Sequence, residues 1–183
     1  MKIMDAKTCL KKMQLVGVLN VATVDENGAP QIRCISAVHY DEDSFYFFTA
    51  KGKNVARELL SDGRVQILVY TKFKEMIRLS AKAYPDEKRY IGICFEIKDA
   101  SIEYFNLGVN PIFRETYTIG NENPTLKGYR ITDKCIGCGK CRTVCPQNCI
   151  DKGEPKPYNI RQNNCLHCGA CFENCPIGAI ERL

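Results

Sequence analysis

The chain has 183 residues, a formal net charge of +5 and twelve cysteines, nine of which follow residue 134. That length admits two small domains as readily as one larger one, and the skewed cysteines favour two of different character. No stretch has the length of a membrane span and the charged segment Met1–Lys12 carries no secretion signal, so the cysteines read as metal ligands and reduced thiols of a cytoplasm.

Taken in order, residues 4–13 predict a short helix with Asp5 as N-cap, and Cys9 within it reads as a packing residue. Residues 16–24 are β-branched and predict a strand. Asn27-Gly28 is a hairpin signal. The returning strand is read over 30–40, with Cys34 as a small buried residue and His39 half-buried. A turn at 41–44 leads into a strand over 45–49. Val55 and Leu59 stand one helical turn apart, which predicts a helix over 54–61 ended by Gly63. Strands follow at 64–70 and 76–84. Residues 86–93 are ambiguous between helix and loop, and 95–107 hold one or two further strands. Residues 108–128, rich in Gly, Pro and Asn, read as a connector. Five to seven short strands with one helix after the third suggest a small closed or split β-barrel, or another antiparallel α+β arrangement.

The remaining third repeats one pattern. Cys135, Cys138, Cys141 and Cys145-Pro146 have the spacing C-x2-C-x2-C-x3-C-P, and Cys165, Cys168, Cys171 and Cys175-Pro176 repeat it thirty residues on. A cubane needs four thiolates, and three cysteines in this spacing wrap one side of it. The fourth lies beyond that loop's reach and serves the other cluster. One [4Fe–4S] cluster is therefore expected on Cys135, Cys138, Cys141 and Cys175, and a second on Cys165, Cys168, Cys171 and Cys145. Gly139 and Gly169 admit close approach of backbone amides. A zinc site pairs two C-x2-C knuckles instead. Cys149 stands where the second repeat has Ala179 and reads as a small core residue. His167, inside the second triplet, reads as a surface residue that tunes cluster potential. Eight thiolates and two oxidised cores bring the net charge to about +1, which removes the case for nucleic-acid binding.

Residues 129–183 resemble the bacterial two-cluster ferredoxins, including Ile150 and Ile180, which close each half. Residues 14–83 are similar to the FMN-binding split-barrel family related to pyridoxamine 5′-phosphate oxidase. The carrying stretches are Val21–Ser36, Phe45–Thr49, Lys51–Leu59 and Ile77–Lys82. The resemblance implies a mainly β, α+β architecture: a split barrel over 1–120, a linker at 121–128 and a ferredoxin domain over 129–183. It also implies a homodimer with FMN at the interface. By that resemblance Arg33, Cys34, Ile35 and Ser36 lie along the flavin ring and phosphate, Thr49 approaches the ring or ribityl chain, and Lys51, Lys53 and Asn54 bind the phosphate. A helix N-terminus flanked by lysines is a ready anion site on physical grounds as well. The family often has a basic residue where Val55 stands, which shifts weight to Lys53 and Asn54.

Clusters move single electrons and a flavin moves one or two, so the pairing implies an internal relay. The leading expectation is an iron–sulfur flavoprotein oxidoreductase acting on a small substrate, with its catalytic residues unassigned. An electron carrier without a substrate is the alternative, and a haem- or deazaflavin-binding module a third reading. No G-x-G-x-x-G unit or P-loop is present, so the electron donor is either a carrier protein or nicotinamide stacking directly on the flavin. Oxidase action on pyridoxamine phosphate is not expected, because oxygen damages exposed cubanes. The organism is expected to be anaerobic or low in oxygen.

Overall fold

A computed structural model describes residues 4–36, 38–86, 92–154 and 157–183. By contact density the chain divides into two units. The first comprises residues 1–104 and 116–124, and the second residues 105–115 and 125–183.

The first unit opens with α1 (Ala6–Val16). The Asp5 carboxylate accepts from the Thr8 N–H at 2.7 Å, and Gly17 ends the helix in the left-handed region at φ 74°. Its inner stripe of Cys9, Leu10 and Met13 is buried. Next come β1 (Leu19–Val24) and β2 (Pro30–Ile35), an antiparallel hairpin. The Asp25 carboxylate fixes its turn by accepting from the N–H groups of Asn27 and Ala29, both at 2.9 Å.

The expected continuous strand over 30–40 is two strands. β2 ends at Ile35, and β3 (Val38–Tyr40) belongs to a different sheet. A strand that turns a barrel corner keeps its β composition while changing partners, so composition alone does not reveal the break. The same happens at Ala83, which separates β6 (Glu75–Lys82) from β7 (Tyr84–Asp86). Between them lie β4 (Phe45–Ala50), α2 (Asn54–Ser61) and β5 (Arg64–Tyr70).

Residues 95–107 resolve into the end of β8 (Gly92–Ile97) and β9 (Ala100–Asn106). Of the ambiguous stretch 86–93, residues 87–91 lie outside the described ones. The connector reading of 108–128 is corrected. It contains β10 (Phe113–Ile119), whose Thr-Tyr-Thr-Ile run is good strand composition between turn-rich flanks.

One sheet has the order β10-β9-β6-β5-β1-β2 and the other β3-β4-β8-β7. Alternation aims Leu19, Val21, Ile67, Val69, Ile77 and Leu79 inward from the first. Phe45, Phe47, Phe95 and Ile97 face inward from the second, and all ten are 0% exposed. Phe47 stacks on Phe95 at 5.7 Å. Glu75 lies buried in this unit and accepts from Lys12 Nζ at 2.7 Å, Tyr104 Oη at 2.7 Å and Thr71 Oγ1 at 2.9 Å. Burial pushes its pKa up. The three hydrogen bonds outweigh that and hold it below the ordinary glutamate range.

The second unit is built on two short ladders. β11 (Tyr129–Ile131) pairs with β14 (Ile180–Arg182), and β12 (Ile150–Asp151) with β13 (Asn159–Ile160). Two single-turn helices, α3 (Lys140–Thr143) and α4 (Ala170–Glu173), occupy corresponding places in the two repeats. Their shared core holds Ile150, Tyr158, Ile160 and Ile180 together with Cys149, Cys165 and Cys171. Among the described residues no helix is long and apolar enough to cross a membrane.

Candidate functional site

Each cysteine triplet folds around a glycine. Gly139 and Gly169 take φ of 79° and 83° and start α3 and α4. A Cβ on Gly169 would also meet Tyr129 Oη at 2.9 Å, so glycine is required there twice over. The Gly137 N–H donates to Cys135 Sγ and the His167 N–H to Cys165 Sγ, each at 3.4 Å. The Ala179 N–H donates to Cys175 Sγ at 3.2 Å. Such donors stabilise thiolate over thiol.

The folded loops leave two small openings beside the cysteines. One is lined by Cys145, Cys149, Cys165, Cys168 and Cys171, the other by Cys135, Cys138, Cys141 and Cys175. The first thus takes three cysteines from the second repeat and two from the first, and the second takes three from the first repeat and one from the second. Four thiols ringing a void suit a polynuclear core. Among the described residues no three His, Cys, Asp or Glu side chains converge on one metal ion. Burial pushes the Cys171 thiol up to about 11 and raises Cys141 and Cys165 as well. Ionising these thiols therefore needs the positive charge of a bound core, and loading releases protons.

Cys149 is buried, as expected, with Sγ 3.6 Å from Cys145 Sγ. His167 is corrected: it is half-buried at φ 58° and packs where a Cβ on Gly128 would stand. Cys34 and His39 are also corrected. Cys34 is exposed and lies 3.3 Å from Asn20 Oδ1, while His39 is exposed beside Asp41. Both sit on the outward side of their strands, which a composition reading does not resolve.

The candidate flavin residues fall into two groups. Thr49, Lys51, Lys53 and Asn54 share the turn from β4 into α2; Thr49 is buried and the others are exposed. Lys53 is the N-cap of α2, with extended backbone and no side-chain cap. No side chain caps its first turn, and the two lysines beside it suit a phosphate. Arg33, Cys34, Ile35 and Ser36 lie along or just after β2, an edge strand of its sheet. Among the described residues no hydrogen bond joins the two groups directly.

Arg33 turns inward and is matched already. Its Nη1 donates to Glu58 Oε2 and to Thr23 Oγ1, both at 2.7 Å, and Thr23 Oγ1 donates to the same carboxylate oxygen at 2.5 Å. Glu58 and Thr23 are buried. Sequence reasoning missed this cluster. Its signal was a glutamate on the same helical face as Val55 and Leu59.

The fold and the site define a two-module chain, in which a split β-barrel precedes a small unit that gathers the cysteines of two repeats. Residues 8–93 match the family model described as pyridoxamine 5′-phosphate oxidase, and residues 134–179 the model described as 4Fe–4S dicluster domain. Among curated relatives, the chain is 38% identical over 63 residues to pyridoxine/pyridoxamine 5′-phosphate oxidase of Escherichia fergusonii, covering 34% of this chain and 29% of that one. It is 44% identical over 48 residues to the same enzyme of Citrobacter koseri, covering 26% and 22%. The chain thus spans less than a third of the length of these relatives. Solved structures share the fold. A NimC/NimA family protein of Clostridium acetobutylicum aligns with TM-score 0.53 and 19% identity over 62% of this chain and 91% of that one. A pyridoxamine 5′-phosphate oxidase-related, FMN-binding protein of Nostoc punctiforme aligns with TM-score 0.53 and 14% identity over 62% and 88%.

Proposed function

We propose that this chain is an iron–sulfur flavoprotein oxidoreductase. It holds two [4Fe–4S] clusters and one FMN and works as a homodimer through its barrel. The observation that carries the reading is the pair of openings, one lined by four cysteines and one by five, each drawn from both repeats.

Bound clusters supply one-electron steps and FMN supplies one- or two-electron steps, so together they connect a single-electron carrier with a small organic substrate. The chain's own part is to hold, tune and exclude. Cys135, Cys138, Cys141 and Cys175 grip one core, and Cys165, Cys168, Cys171 and Cys145 the other. The N–H groups of Gly137, His167 and Ala179 stabilise the sulfur charge and raise the potential of whatever the thiolates hold. Lys51, Lys53 and the uncapped α2 N-terminus take the flavin phosphate, with Asn54 at the first helical position and Thr49 at the strand end below. Arg33 has its charge matched by Glu58, so it acts chiefly by fixing α2 against β2, and that bond orients the phosphate-binding turn. Cys34, Ile35 and Ser36 offer backbone and small side chains along the flavin.

Anaerobic purification followed by a visible spectrum and assays of iron, sulfide and flavin tests this reading. About eight iron and about eight sulfide per chain, with one FMN, are expected. Colourless protein, or zinc in place of iron, overturns it.

A further inference from the structure

The two repeats of the C-terminal unit have matching backbones and different surfaces. α3 carries Lys140 and Arg142 where α4 carries Ala170 and Phe172, and Thr143 stands where α4 has Glu173. Lys134, just before the first cysteine, is matched by Asn164. The second repeat builds the same loop, left-handed glycine and helical turn without these cations. Folding the first repeat therefore does not call for them.

Lys140 and Arg142 are exposed, and among the described residues neither pairs with a carboxylate. Arg142 Nε donates to the Ile150 carbonyl at 3.1 Å, which holds the guanidinium along the wall of an open groove. That groove is lined by Cys138, Lys140, Arg142, Thr143 and Asn148 among others. The nearby cations Lys152 and Arg161, by contrast, are matched by Glu154 and Asp151. Cys138 is exposed, whereas Cys135, Cys141 and Cys175 are half-buried. The thiol that meets solvent thus opens into the cationic groove.

We propose that the α3 edge is the docking surface for an acidic electron-transfer protein, which meets the chain at Cys138. The inference rests on the cluster assignment above and names the partner's chemistry. Each productive encounter moves one electron. The partner's reduced centre is oxidised by one electron and the iron–sulfur site behind Cys138 is reduced by one, with no bond made or broken. Complementary charge raises the encounter rate, and the gain is screened by salt.

The test mixes anaerobic holoprotein with a purified, reduced acidic ferredoxin in a stopped-flow instrument. It compares wild type, Lys140→Glu/Arg142→Glu and the matching pair Ala170→Glu/Phe172→Glu. The α3 pair is expected to lower the second-order rate constant at least about tenfold at low ionic strength, and that gap should close to about twofold in roughly 0.5 M salt. The α4 pair is expected to stay within about twofold of wild type, and a basic cytochrome c to react faster with the α3 pair than with wild type. Iron content of each variant is measured first; if the α3 pair loses iron, Lys140→Gln/Arg142→Gln replaces it. Equal rates for wild type and the α3 pair, or equal losses in the α3 and α4 pairs, overturn the proposal. Normal clusters without flavin would sink the flavoprotein reading and leave this measurement valid. Absence of clusters would sink the reading on which the proposal rests.

Discussion

The two units hold themselves together by different means. The twelve largest fully buried side chains all lie between Met13 and Ile102. Eleven come from the inward rows of two sheets and Met13 from α1, and removing them from water is what drives that unit to fold. The second unit has a seven-residue core, three of whose members are cysteines. Its ladders are two or three residues long. So little apolar surface does not fold a segment of that length, and inorganic bonding has to replace packing there.

The sharpest way to break that comparison is to take away the metal. Cys138→Ser, or chelation of iron, is expected to remove about 10 kcal/mol from the second unit and almost nothing from the first. Hydrogen exchange should show residues 129–183 losing protection while β5 and β6 keep theirs. Equal loss in both units would mean that the barrel also depends on the cores.

The same contrast explains what the sequence discloses. The two cysteine repeats are legible because a ligand is a discrete chemical demand at a fixed spacing, and no surrounding residue has to be known. The barrel strands are legible as β-rich runs, yet their breaks after Ile35 and at Ala83 are not, because a corner changes partners without changing composition. β10 was hidden by its flanks. Glu58 was hidden because its partner Arg33 is 25 positions away. Cys34 and His39 misled because strand register, and not residue type, decides which side faces water.

The barrel is not purely apolar, and its buried charges offer the next tests. Glu58→Ala strands the Arg33 guanidinium and is expected to cost about 3 kcal/mol in urea unfolding, whereas Glu58→Leu with Arg33→Leu is expected to recover most of it. A double variant no better than the single would show that the pair does more than neutralise itself. Glu75→Gln keeps the shape and loses the charge that three donors serve, for about 2 kcal/mol. Because the folded pKa of Glu75 lies below its unfolded value, its contribution is present above the ordinary glutamate range. It is lost as pH falls through and below that range. The wild-type minus Glu75→Gln difference in stability should shrink on acidification below about pH 4.5, the unperturbed glutamate value.

Two smaller effects sharpen the picture of the barrel's helices. Lys53→Ala is expected to weaken FMN retention by roughly tenfold, about 1.4 kcal/mol, read by flavin release on dilution. An unchanged affinity would remove the phosphate role from the α2 turn. Asp5→Ala deletes the α1 cap and is expected to cost about 1 kcal/mol, measured as a small shift in the barrel's melting transition.

The interlacing of the two cysteine sets has a consequence for assembly in the cell. Because Cys145 and Cys175 each line the opening formed by the other repeat, neither opening is complete until both repeats are present and folded. A nascent chain that has only its first repeat therefore offers three thiols and lacks the fourth.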